Sequence, residues 1–580
     1  MRRQLLRYSI IILSILGLLI CVAMLFPQVR QIILNFAEQI LQREASTYQS
    51  WLKVLLSYAL GGICFILLFD FCTLTVSGKQ LVRNITNEIR DGLSEIDFRS
   101  LIKPAIFMFG VYLLGVITLF RANFLYYDDV GRAMAGYRGW YGGSRYLSDF
   151  FSIFVHADTN LTDISPLPQL LAIFLLAISS VLLVYVLCDK KITIIRLLAS
   201  VPLGLSPYIM ECLSYKFDSP YMALSVLVSI VPFLFIARKK AFIFCSVVSL
   251  LCMYMTYQAA SGIYILIVLV LCFQYWNEKQ KMNKEIYLFI IRAIFSYGLA
   301  MIVFKLFLMK PLNTYASDEM FSLHQFIPGF LGNLKNYFGL LFNDFNPIWI
   351  IFILFILIFF IAKSLRMSRQ KKVLAFLGSI FLIALLFVFS YGLYLALSSP
   401  LFAPRALYGF GVLLAILSIY TVYAYKKIAV IPALALSWCF FTFAFSYGNA
   451  LADQMRYVNF RAGILLHDLS ALYPNRANNE MTFQLKNKIG FTPIIKNIAK
   501  HNPVIERLVP CMLEQDEPWA NGYYLTYFNF GIFSLSNLPL NMKNGEPYID
   551  FDTVDLPVVL ESFYHTIKSD GNHVLVILKE

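Results

Sequence analysis

Apolar runs alternate with short charged connections over most of the chain. At the ~20 residues a helix needs to cross a bilayer, these runs predict about thirteen spans. They fall at 8–26, 53–75, 104–121, 167–188, 193–210, 220–237, 241–257, 262–275, 287–308, 347–363, 373–396, 406–425 and 428–447. Residues 27–50 read as an amphipathic stretch lying in the interface. Residues 76–103 mix Lys79, Arg83, Arg90, Arg99 and Lys103 with acids, as a helical loop would. Spans seven and eight form a tight hairpin at Tyr257-Gln258. The basic clusters are Lys190-Lys191, Arg238-Lys239-Lys240, Lys279 to Lys284, Lys363 to Lys372 and Lys426-Lys427. All of them fall on one side of the alternation, which the positive-inside rule assigns to the cytoplasm. The N-terminal run behind Arg2 and Arg3 carries no small-residue cleavage pattern, so it reads as a retained first helix.

From about residue 448 the pattern changes. Hydrophobicity drops, helical periodicity appears at 449–472 and 492–509, and strand-like runs follow at 523–527 and 574–578. The chain therefore divides into a membrane domain, 1–447, and a small extracytoplasmic α+β domain, 448–580, that reads as a lid or docking module. The fold class is an all-α polytopic membrane protein with that appendage.

Composition agrees: the 580 residues are 59% hydrophobic and only 14% charged. The net charge of +14 suggests nucleic acid, but the basic residues sit in short loops between spans and suit anionic lipid headgroups instead. Most of the ten cysteines lie in or beside apolar runs and act as small hydrophobes. No CxxC or Cys/His spacing for a metal occurs.

Candidate chemistry gathers on the opposite side from the basic loops. Asp128 and Asp129 follow span three, and Arg132, Arg138, Trp140, Arg145 and Asp149 follow them. Acids at a membrane edge are costly and are kept where they have a partner or a task. The other outer loops carry Glu211, Lys216 and Asp218, then Tyr257 and Gln258, then Arg405. A carboxylate can take a proton from an attacking hydroxyl. Arginine and lysine can hold a departing phosphate. Tyr137, Trp140 and Tyr141 offer ring faces for a sugar. The plainer reading is a solvated Asp-Asp cap, lipid-binding arginines, a Lys216–Asp218 surface pair and an interfacial aromatic belt.

The run Tyr127 to Arg132, continued by Gly136 to Trp140 and Arg145 to Phe150, resembles the first outer loop of bacterial O-antigen glucosyltransferases of the Gtr type II family. Asp163 to Leu170 and Leu205 to Pro220 are similar to the same family. The resemblance is strongest over about 120–260 and looser to about 450. It implies a GT-C architecture and an undecaprenyl-phosphate-linked sugar as donor. It also implies a catalytic acid in this loop, at Asp128 or Asp129. On that footing the chain is a hexosyltransferase of the bacterial inner membrane. It modifies O-antigen on the periplasmic side, the modification that underlies serotype conversion of lipopolysaccharide. Arg132, Arg138, Arg145, Lys216 and Arg405 are candidates for the carrier phosphate. Trp140, Asp218, Tyr257 and Gln258 are candidates for the sugar. No cofactor is expected; a metal is unnecessary where basic residues offset phosphate charge. Two alternatives remain: a flippase for a lipid-linked sugar, and a polysaccharide polymerase or ligase. A flippase would need charges inside the spans and inverted repeats. Few charges lie within spans, Asp70 and Lys305 among them, and no repeat is seen.

Overall fold

The computed structural model describes residues 61–63, 66–279, 283–309, 320–322, 324–423, 427–474, 482–515, 525, 527–528, 542–543, 546–547 and 555–580. The first predicted span, the stretch 27–50, and residues 53–60 and 64–65 of the second span lie outside the described residues.

The helices in chain order are α1 (Val76–Ser94), α2 (Phe98–Ala122), α3 (Asp128–Ala135), α4 (Tyr146–His156), α5 (Leu167–Leu187), α6 (Ile194–Ala199), α7 (Pro202–Leu205), α8 (Pro207–Ser214), α9 (Ser219–Ile230), α10 (Lys239–Thr256), α11 (Ser261–Asn277), α12 (Asn283–Val303), α13 (Phe326–Asp344), α14 (Pro347–Met367), α15 (Lys372–Phe389), α16 (Gly409–Val422), α17 (Val430–Leu472), α18 (Pro493–His501) and α19 (Ile505–Leu508). Among the described residues, eight helices are long and apolar enough to cross a membrane, by length and composition. The predicted fifth span is instead two segments, 194–205 and 207–214, bent by 59°. Pro207 causes the break: it has no N–H to continue the ladder, and it forces Ser206 into an extended conformation, ψ 153°. If the bent pair crosses, it is a ninth span. Predicted spans six and twelve are shorter helices, Ser219–Phe235 and Gly409–Val422.

Helix ends follow local chemistry. The Asn346 side chain accepts a hydrogen bond from the Trp349 amide at 3.0 Å and starts α14, with Pro347 at its first position. Asn123 stops α2 in the left-handed conformation, φ 47°.

Inside the bundle, buried tyrosines pair with serines on other helices. Tyr112 meets Ser180 at 2.6 Å, Tyr337 meets Ser390 at 2.7 Å, Tyr447 meets Ser214 at 2.7 Å and Tyr408 meets Ser225 at 3.0 Å. Between apolar helices such hydroxyl pairs supply the specificity that uniform aliphatic packing lacks, at about 0.6 kcal/mol each.

α17 runs unbroken for 43 residues. It joins the predicted thirteenth span to the predicted 449–472 helix and packs along α2 and α14. Beyond it a four-stranded sheet has the order β1-β6-β5-β4. β1 (Thr482–Lys486) runs parallel to β6 (His573–Leu578), while β6 pairs antiparallel with β5 (His565–Ser569), and β5 with β4 (Val558–Glu561). A separate two-stranded ribbon pairs β2 (Met542–Lys543) with β3 (Glu546–Pro547). The predicted strand at 574–578 is β6. Of the predicted strand at 523–527, the described Leu525 and Tyr527 are helical. The predicted 492–509 helix is α18 and α19, separated by Asn502 to Val504.

The loop of this domain that carries α19 docks on the membrane body. Tyr126 Oη donates to the Leu508 carbonyl at 2.7 Å, and Arg507 pairs with the buried Asp344. Asn346 Nδ2 donates to Asn502 Oδ1 at 3.1 Å.

Candidate active site

α2 ends at Ala122, and the chain turns back into the body before starting α3 at Asp128. The residue that begins α3 is strained. Tyr127 has φ 42° and ψ −100°, a region that side chains with a β-carbon rarely occupy. Strain of this kind persists where surrounding structure holds it, most often at functional sites. Here Tyr127 aims the first turn of α3, and both aspartates sit in that turn. The amide-rich N-terminus of a helix favours negative charge.

The two carboxylates have different surroundings. Asp129 is 0% exposed. Its Oδ2 accepts from the backbone amides of Tyr126 at 3.2 Å and Lys216 at 3.0 Å, and its Oδ1 from Phe217 at 3.4 Å. It pins α3 to the segment following α8. Burial pushes its carboxyl up to about 8, and the Lys216 amide acts in the opposite direction. Asp128 is half-buried, and its carboxylate makes no hydrogen bond or ion pair among the described residues. Burial raises its pKa above the ordinary carboxylate range. Arg132, Arg405 and Arg145 pull it back, while Asp218 adds to the rise. Asp128 therefore lies within the field of three arginines and is bonded to none.

Those arginines are held by their own acids and rings. Arg132 pairs with Asp218, both nearly inaccessible, and its guanidinium lies 4.3 Å from the Trp140 ring centroid. Trp140 Nε1 donates to Asp218 Oδ1 at 2.6 Å, and Arg145 Nη1 stands 3.9 Å from the same oxygen. Arg145 covers the Tyr257 ring at 4.6 Å. The Tyr257 hydroxyl is buried and makes no hydrogen bond among the described residues. Arg405 bonds Glu211 Oε1 through Nη1 at 2.9 Å and Glu211 Oε2 through its backbone amide, and lies 5.5 Å from the Tyr215 ring.

The structure thus brings together Asp128, Arg132, Trp140, Arg145, Asp218, Tyr257 and Arg405. It separates three other residues singled out from the sequence. Arg138 pairs with Asp149 at 3.3 Å. Gln258 donates its side-chain amide to the Gly143 carbonyl at 3.1 Å, tying two outer loops. Lys216 gives its backbone to Asp129, but its ammonium turns to Asn123 at 2.6 Å and Asp163 at 3.0 Å. It pairs with Asp163, not with Asp218. Trp140 is a buried wall of the cluster; Tyr137 and Tyr141 are exposed rings of this loop. Asp218 has both oxygens engaged by Arg132 and Trp140, so it positions those groups.

Residues that sequence reasoning did not place here are Tyr215 and Tyr394. Tyr215 is buried and Tyr394 half-buried, and the fields of Arg145 and Arg405 reach Tyr394. The signal was weak: Tyr394 lies inside a predicted span, where a tyrosine reads as packing. Among the described residues, no three His, Cys, Asp or Glu side chains are grouped to hold a metal ion.

The arrangement offers an acid–base group beside fixed positive charge, next to an unsatisfied hydroxyl. That combination can accept a proton while a neighbouring anion leaves. Against known proteins, residues 117–416 match the family model described as glucosyl transferase GtrII. A Salmonella phage P22 protein described as an uncharacterized 55.3 kDa protein in the gtrB 5' region is 25% identical over 477 residues. The alignment covers 78% of this chain and 96% of that protein. No solved structure matches the chain.

Proposed function

The chain belongs to the GtrII glucosyl transferase family, and from that premise we propose that it moves a hexose, glucose first among the candidates, from undecaprenyl phosphate to a hydroxyl of O-antigen. The reaction takes place on the periplasmic face of the inner membrane. The family supports a glycosyltransferase. The lipid donor, the acceptor and the side of the membrane are our reading. Support for the side comes from the basic clusters, which in the hydropathy alternation all fall on the side opposite Asp128.

In this reading Asp128 is the general base. It removes the proton of the acceptor hydroxyl as that oxygen attacks the anomeric carbon. The bond from that carbon to the carrier phosphate oxygen breaks, and the anomeric configuration inverts in one displacement. Arg132, Arg145 and Arg405 stabilise the phosphate as it leaves with the bonding pair. The Tyr257 hydroxyl takes a hydrogen bond with the sugar or phosphate. Asp129 holds α3 in place through backbone amides.

The observation that carries this reading is the unbonded Asp128 carboxylate beside three arginines. The test is transfer from undecaprenyl-phosphate-glucose to O-antigen by purified protein, comparing Asp128→Asn with wild type. Loss of turnover with donor binding retained supports the reading. Full activity of Asp128→Asn would sink it. Movement of the lipid-linked sugar across a vesicle without transfer would favour the flippase alternative, and chain extension in place of single additions would favour a polymerase.

A further inference from the structure

Beside the segment whose amides hold Asp129 lies a cavity of about 230 Å³. It forms where the end of α2, the start of α5 and the segment after α8 meet. Phe120, Phe124 and Pro166 give it an apolar side, and Asn123, Gln169 and Lys216 a polar one. Lys216 is 3% exposed, and its ammonium binds Asn123 Oδ1 and Asp163 Oδ2. The Ser165 hydroxyl, also at this wall and beside Asp163, is buried and meets no hydrogen-bond acceptor or donor in good geometry among the described residues. None of the three arginines of the Asp128 cluster lines it.

Charge decides what this cavity suits. The lysine is already neutralised by Asp163, so an anion would have to displace that carboxylate and then face it. A neutral polyol meets no such penalty: its hydroxyls can join the Lys216–Asn123 network and satisfy Ser165, while its ring lies against the phenylalanine faces. Size narrows the choice. Pockets for drug-sized molecules run to roughly 300–1,000 Å³, so this smaller one takes about one ring.

We propose that the cavity binds a single neutral sugar unit, which under the transferase reading is a ring of the acceptor glycan. The Lys216 residue that lines it also holds Asp129 through its amide. A ring seated here is therefore one residue away from the helix that carries the base.

The test has two arms that fail separately. In the first, wild-type protein in nanodiscs is probed by saturation-transfer NMR with D-glucose, D-galactose, D-mannose and L-rhamnose, with inorganic phosphate as competitor. At least one sugar should show transfer. The signal should fall about ten-fold in Asn123→Ala and in Ser165→Trp, which fills the cavity, and survive phosphate. Overturning results are no signal from any sugar, a signal unchanged in both variants, or displacement by phosphate. In the second arm, Asn123→Ala should raise the acceptor KM about ten-fold and leave kcat and the donor KM unchanged. A rise in donor KM alone overturns the acceptor assignment. Sugar binding by a wild-type protein that transfers nothing supports the cavity and overturns the transferase reading.

Discussion

Lys363 and Asp128 mark opposite ends of the helical body. Around Lys363, which is fully buried, the charge has an ion-pair partner and an aromatic face, although its ammonium makes no hydrogen bond among the described residues. Its ammonium lies 3.5 Å from Glu278 and 3.2 Å from the Tyr420 ring centroid, and Tyr420 donates its hydroxyl to Glu278. Asn277 closes the knot by donating to the Ser364 carbonyl at 2.9 Å. Around Asp128 the partners are shared out differently. Asp218 is taken by Arg132 and Trp140, and Glu211 by Arg405. Asp128 is left with the surrounding field and no bond. A buried charge that is paired is committed to its partner. A carboxylate held near cations without a bond is available for a proton. Both ends bury ionisable groups, and only the second is arranged for chemistry.

The largest expected effect falls on the open end. Asp128→Asn should lower kcat by about 10²–10⁴-fold, the range for losing a general base, while the unfolding temperature stays unchanged. In wild type the acid limb of kcat/KM should sit above the ordinary carboxylate value. The base works only when deprotonated, and burial has raised its pKa. A limb at or below pH 4 would count against Asp128. Asp218→Ala comes next. It removes the partner of Arg132 from a buried pair and should cost about 3–5 kcal/mol of stability, read by denaturation in detergent, together with a loss of turnover. Lys363→Met tests the closed end. Glu278 keeps the Tyr420 hydroxyl, so the cost should be about 1–3 kcal/mol, with kcat unaffected; a fall in kcat would erase the contrast between the two ends. Asp129→Asn is read through its pH dependence. Folding raises the pKa of this acid, so the folded state holds its proton more tightly than the unfolded one. Its contribution to stability therefore falls as pH rises from about 3.8 to about 8. The variant should flatten that slope in thermal unfolding measured across the window.

Much of the membrane body was legible from hydropathy because an apolar run of spanning length has few alternatives to a helix. Pro207 shows the limit: averaging over a window conceals one residue that turns a span into two bent pieces. α13 was hidden for a related reason. Its residues 326–344 mix Gly329, Gly332 and Gly339 with apolar positions and read as outer loop. The gathering of Asp128, Arg132, Asp218 and Arg405 followed from where the loops emerge. The division of labour between Asp128 and Asp129 did not, because it depends on amides of Lys216 and Phe217, which no local pattern brings to residue 129. Lys216 shows the same point: its backbone serves one site and its ammonium faces another.

α17 is a single rod of ~65 Å at 1.5 Å per residue, and it seats against α2 without slack. A β-carbon at Gly448 would stand 2.6 Å from the Leu119 backbone nitrogen, so no larger residue fits there. Arg121 bonds Asn449 one position further along. The sheet at the far end of this rod is thus mounted on a lever whose fulcrum presses on the helix that delivers the chain to Asp128. Tilting that sheet by a few degrees would tug on the aspartate's own approach segment.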